Sequence, residues 1–85
     1  MQTHELKILP EFFKEVRSGN KTAELRIDDR DFTVGDVMVL REWLPRKKVF
    51  TGRFCNVKIT HMVQVRRFIE TNKPWVMLSF RPTEI

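Results

Sequence analysis

The 85-residue chain is 41% hydrophobic, holds seven Phe and two Trp and carries a net charge of +5, enough apolar material for one compact core and too little for two, so a single domain over residues 1–85 is expected. Cys55 is the only cysteine, which excludes an intramolecular disulfide, and the lack of an apolar leader at the start adds to the expectation of a reducing, cytoplasmic setting. No apolar run approaches the roughly 20 residues of a membrane helix, and His4 and His61 lie far apart with no C-x-x-C pair, so neither a membrane partner, a metal nor a cofactor is expected.

From Thr3 to Ile8 the residues alternate as in a strand, with Leu6 and Ile8 on one face and Lys7 on the other. Pro10 then opens a helix at its first turn, where the missing N–H costs nothing. Leu9, Phe12, Phe13 and Val16 form the apolar stripe of that helix, with Phe12 and Phe13 as core residues, and Gly19 supplies a left-handed stop. A helix this short is unstable alone and must pack on a sheet. Thr22 to Ile27 reads as a second strand, Asp28-Asp29-Arg30-Asp31 and Val34-Gly35-Asp36 as turns, and Val37 to Trp43 as a strand whose apolar start implies burial on both faces. Leu44 to Thr51, containing Pro45, reads as a loop. After Gly52, a long alternating strand sets Cys55, Val57, Ile59 and Val63 on one face, Cys55 as a buried, unreactive thiol. Arg66 to Lys73 fits either a helical turn or an irregular connection. Pro74 precedes a last strand, Trp75 to Phe80, with Val76, Leu78 and Phe80 inward. Closely spaced strands and one early helix predict an α+β, mostly β fold: a small barrel of about five to six mixed strands.

Charge is unevenly spread. Residues 1–43 hold seven Lys/Arg and nine Asp/Glu, whereas residues 44–85 hold nine and two. The basic half gathers Arg46, Lys47, Lys48 and Arg53, an arrangement that either attracts a polyanion, phosphate being the commonest, or merely keeps a surface solvated.

The segment Gly19 to Arg26 reads G-x-K-x-x-E-x-R and brings Lys21, Glu24 and Arg26 together where the helix gives way to a strand. Lys21 is a point charge suited to a phosphate or a polarised carbonyl. Arg26 offers a planar fork that either grips a ligand or pairs with Glu24, its same-face neighbour two residues away. Glu24, between two cations, stays ionised and either orients them or accepts a hydrogen bond from a base amino group. Arg30 either neutralises the acidic turn or reaches the same cleft. Asp36 reads as a turn residue bonding local amides. Trp43 and Trp75 either stack on bases or close the core. His4, near the N-terminus, reads as a surface residue able to titrate near neutrality.

The order of these features resembles the ASCH domain, a branch of the PUA-like superfamily of pseudo-barrels. The run His4-Glu5-Leu6-Lys7, Phe12-Phe13, Gly19-Asn20-Lys21, Glu24-Leu25-Arg26, Asp29-Arg30-Asp31-Phe32, Val34-Gly35-Asp36, Arg41-Glu42-Trp43 and Thr51-Gly52-Arg53 is similar to a bacterial and phage-associated group, the domain of unknown function 3850, and Trp75 to Ser79 fits its closing strand. The resemblance implies a PUA-like pseudo-barrel and an RNA-binding module with a cleft beside the helix. Lys21, Glu24, Arg26 and Arg30, with His4, Lys7 and Trp43, would serve that cleft, and Arg46, Lys47, Lys48 and Arg53 would follow a phosphate backbone. A related ASCH branch comprises amidohydrolases acting on acylated cytidine nucleosides through a lysine, a threonine and a distant glutamate. Lys21 matches that lysine, but Glu24 stands in place of the threonine. An amidohydrolase using Lys21 and Glu24 is therefore the alternative expectation, and a protein-interaction domain a third.

Overall fold

A computed structural model describes residues 1–84. The elements run β1 (Thr3–Ile8), α1 (Pro10–Ser18), β2 (Ala23–Ile27), β3 (Val37–Leu44), β4 (Val49–Gln64), a single 3-10 turn (Val65–Arg67) and β5 (Trp75–Pro82). The five strands form one sheet in the order β1-β3-β4-β5-β2. β1 runs parallel to β3, and every other pairing is antiparallel. The sheet curls so far that its two edge strands, β1 and β2, approach each other: Arg26 Nη2 donates to Lys7 O at 2.7 Å and Arg30 Nη1 to Glu5 O at 3.1 Å. The result is a mostly β half-barrel of five mixed strands and one helix, its open seam bridged by side chains.

Local chemistry sets the helix. Pro10 occupies its first turn, Glu11 and Arg17 stand at the ends that the helix dipole favours, and Gly19 caps it at φ 86° with its N–H on Val16 O at 3.1 Å. Phe13 and Val16 are buried against β3 and β4. Together with Leu6, Ile8, Phe32, Met38, Leu40, Val57, Ile59, Val76, Leu78 and Phe80 they make the core that fills the curl. Phe12, expected beside Phe13 in that core, is 43% exposed. With only two helical turns on the sheet, one narrow stripe suffices, and Phe12 sits at its margin facing the seam.

Two bulges account for the other departures from the expected pattern. Leu44 to Thr51 is no open loop: β4 starts at Val49, and Leu44 pairs with Val49 across a tight turn in which Lys48 has φ 54°. Trp43 pairs with Phe50 and Arg41 with Phe54, so β4 spends extra residues over this stretch, and Gly52 takes φ 94° to accommodate them. A second irregularity falls at Thr60, since Ile59 faces Phe80 but His61 faces Ser79. The extra residue reverses the alternation, and Met62, opposite the buried Leu78, takes the core-facing place expected for Val63.

Candidate functional site

The seam opens into a concavity of about 700 Å³ bounded by β1, the helix, β2 and β5. Lys7, Lys21, Arg26 and Arg30 supply its positive charge, Glu24 and Asp29 its carboxylates, and Phe12, Phe32 and Trp75 its aromatic surface. Glu24 and Arg26 alternate inward on β2 opposite Leu78 and Val76 of β5, which is why two charged side chains lie on the concave face. Arg26 Nε donates to Glu24 Oε2 at 2.7 Å. Of the two alternatives for Arg26 the pairing with Glu24 is present, and the other end of its fork spans the seam to a β1 carbonyl. The Glu24 side chain is only 10% exposed, and its second oxygen receives no hydrogen bond from the described residues. Such a carboxylate is a ready acceptor for a donor entering the concavity.

Lys21 Nζ donates to Ala23 O at 2.6 Å and lies 5.4 Å from the centre of the Phe12 ring. No ion pair within 4.0 Å joins it to Glu24. Arg30 lines the concavity, approaching Asp29 of the acidic turn at 3.9 Å while donating to Glu5 O at the cleft wall. Lys7 Nζ stands 3.9 Å above the Trp43 ring. Trp43 itself lies outside the concavity, edge-on to Phe50 with ring centroids 4.8 Å apart, whereas Trp75, 36% exposed, lines it.

His4 occupies a different place from the one expected. It is buried on the concave face, because its position on β1 shares parity with Leu6 and Ile8. Its Nε2 lies 2.9 Å from Asp36 Oδ2, and its ring meets Phe32 edge-on. Asp36 also accepts the backbone N–H groups of Gln2 and Thr33. Burial pushes the Asp36 carboxyl up, but the His4 bond, the two N–H bonds and the attraction of His4 outweigh it, and the net shift is downward. This pair ties the start of β1 to the turn before β3.

Arg53 is also elsewhere. Its Nε and Nη2 each lie 2.7 Å from Glu42 Oε1, which further accepts the Thr51 hydroxyl at 2.8 Å. Burial raises the Glu42 carboxyl, but the Thr51 and Arg53 bonds and the charges of Arg53 and Arg17 carry it below its usual value. A separate concavity of about 310 Å³ lies there, beside Phe13, Lys14 and Arg17. Arg46, Lys47 and Lys48 form the exposed tip of the β3–β4 hairpin and line none of these hollows. Cys55 is half-buried, and burial pushes its thiol up despite the nearby Arg17.

Three features escaped the sequence: Phe12 as a lining residue, the Glu42–Thr51–Arg53 cluster, and the pairing of Arg41 with Phe50, whose guanidinium lies 4.2 Å over the ring. All three depend on packing or hairpin register, and only the proximity of Thr51 and Arg53 to a tight turn hinted at the second. Among the described residues, no three His, Cys, Asp or Glu side chains gather to hold a metal ion, and no helix is long and apolar enough to cross a membrane.

Comparison with known proteins adds three findings. Residues 3–80 match the family described as Domain of unknown function (DUF3850). The chain is 37% identical over 67 residues to an uncharacterized 12.9 kDa protein in the GpA 3'region of Escherichia phage P2, an alignment covering 79% of this chain and 60% of the phage protein. The chain thus spans about three-fifths of that relative's length. Its fold is similar to the crystal structure of hypothetical protein PH0355, with a TM-score of 0.67 at 14% identity, covering 98% of this chain and 100% of the other.

Proposed function

This chain belongs to the DUF3850 family, and on that footing we propose that it is an RNA-binding module of the ASCH and PUA-like type whose seam concavity holds an unpaired nucleotide. One observation carries the reading: a nucleotide-sized hollow combines four cations, aromatic side chains and a buried carboxylate with one oxygen unmatched. Each part has a task. Lys21, on its flexible stem, meets phosphate as a point charge, while Arg26 and Arg30 present planar donors whose orientation is fixed by the β1 carbonyls. Trp75 and Phe12 give a base an apolar face. Glu24 accepts hydrogen bonds only, so it favours bases that present an N–H at that spot. Reading of unpaired bases in a hollow beside a charged surface is the common mode of sequence-specific RNA recognition. Arg46, Lys47 and Lys48 at the hairpin tip extend the attraction to the backbone without reading sequence.

Binding to pooled cellular RNA, followed by titration across salt concentrations, tests this reading. Affinity is expected to fall with a slope of roughly 0.7 per phosphate contacted on a single strand. Lys21→Ala is expected to change which nucleotides are preferred. An absence of binding at low salt rejects the module outright. Turnover of acylated nucleosides that disappears in Lys21→Ala and Glu24→Ala would replace it with the amidohydrolase reading.

A further inference from the structure

A second, smaller hollow of about 340 Å³ lies on the outer side of β1. It shares Lys7, Arg26 and Arg30 with the seam concavity, and its far wall is built by Arg41 of β3 and Phe50 of β4. The three shared cations therefore form a ridge between two hollows. Two of them cannot swing freely, because Arg26 donates to Lys7 O at 2.7 Å and Arg30 to Glu5 O at 3.1 Å. Beyond the ridge, the Arg41 guanidinium is stacked 4.2 Å from the Phe50 ring, and both remain partly open to solvent, Phe50 being 38% exposed. Glu5 lies 3.4 Å from Arg41 and is the one carboxylate among the described residues that lines this hollow.

We propose that the second hollow is a subsite for the neighbouring nucleotide of a single strand: one base enters the seam concavity, the linking phosphate rests on the Arg26–Arg30 ridge, and the next base stacks on the Arg41–Phe50 platform. This rests on the RNA-binding reading above. The chemistry of the three stations alternates as the strand's own does. A hollow with aromatic walls suits a base, a ridge of oriented guanidinium groups suits the bridging anion, and a flat arginine–aromatic stack suits a second base. The Trp43 ring packs edge-on against Phe50 and carries Lys7 over its face. A mononucleotide supplies a base for the first station and a phosphate for the ridge, but no second base for the platform. A dinucleotide engages all three.

The test compares adenosine and uridine 5'-monophosphates with the dinucleotides ApA and UpU and their deoxy counterparts, titrated against the whole chain by isothermal calorimetry. The native protein is expected to bind the better ribo-dinucleotide about tenfold or more tighter than its mononucleotide. Phe50→Ala removes a stacking platform and should erase about tenfold of dinucleotide affinity, leaving the mononucleotide unchanged. Phe50→Tyr should restore it. Should Phe50→Ala unfold the chain, Arg41→Gln, at a residue with a 41% exposed side chain, gives the same readout. Equal losses for mono- and dinucleotide, or no loss for either, overturn the second subsite while leaving the first reading in place. No binding of any nucleotide by the native protein overturns both. Deoxy-dinucleotides binding as well as ribo-dinucleotides would keep the two-station tract and deny it selection for RNA.

Discussion

The concave face of the half-barrel holds two glutamate–arginine pairs with the same 2.7 Å contact, and they do different things. Glu42 is met from across the hairpin: Thr51 and two nitrogens of Arg53 converge on a single oxygen. Both nitrogens that Arg53 engages go to its glutamate, and the pair fastens β3 to β4. Glu24 is met by its neighbour on the same strand through one nitrogen, and Arg26 sends its other end to the opposite edge of the sheet. That leaves a carboxylate oxygen facing the larger hollow and a guanidinium held across the seam. Burial alone does not distinguish the two glutamates, at 3% and 9% exposure. Where each arginine sends its second nitrogen, and the space alongside, do.

The comparison is most sharply broken by Glu42→Ala. Loss of this hydrogen-bonded carboxylate should cost about 2 kcal/mol in urea unfolding, at the low end for a buried pair because the Arg53 side chain is 61% exposed and can turn to water. RNA affinity should be unchanged, and a variant that loses binding at native stability would reverse the two assignments. Glu24→Ala is expected to cost stability less, about 1 kcal/mol. Its main effect should be to compress by about tenfold the spread of affinities among the four nucleotides, read by competition titration, since a good polar contact discriminates by about that much. Acid tests the fastening pair in another way. The Glu42 and Asp36 carboxyls are both held below their ordinary values, so the stability they contribute is complete above the unfolded-state pKa, near 4, and lost as pH falls through the lower folded values. Unfolding midpoints should therefore drop below about pH 4, and Glu42→Gln should flatten that drop. The smallest effect is expected at the hairpin tip: replacing Arg46, Lys47 and Lys48 with serine should weaken RNA binding by about threefold at moderate salt. Nucleotide preference should stay the same, and the salt slope should become shallower by roughly 0.7 for each phosphate that the variant no longer neutralises.

Much of this fold was legible in the residues because local chemistry dictated it. Pro10 and Gly19 bracket the helix, Thr3–Ile8 has the bounds expected of it, and Val76, Leu78 and Phe80 fill the core as their alternation requires. Misjudged elements are those where the pairing partner decides. The Thr60 bulge is set by the register against β5, so alternation within β4 could not reveal that Met62 replaces Val63. The hairpin beginning at Val49 depends on Lys48 adopting a left-handed conformation that lysine does not advertise. For the site, the signature strand marked Lys21, Glu24 and Arg26 as neighbours of one hollow, and they are. His4 was misplaced because its interior partner Asp36 lies 32 residues away. Phe12 was misplaced because a nine-residue helix shows the sheet only part of its apolar stripe.

A half-barrel leaves two strand borders without main-chain partners, and borders of that kind invite foreign strands to pair and spread into aggregates. Here Lys7 and Lys21 stand along those borders, and Arg26 and Arg30 already occupy the exposed carbonyls of Lys7 and Glu5. An arriving strand would have to displace two guanidinium groups and bury further positive charge to gain its first hydrogen bonds. The same positive charges that are proposed to draw a polyanion toward this opening would thereby oppose the approach of the chain's own copies.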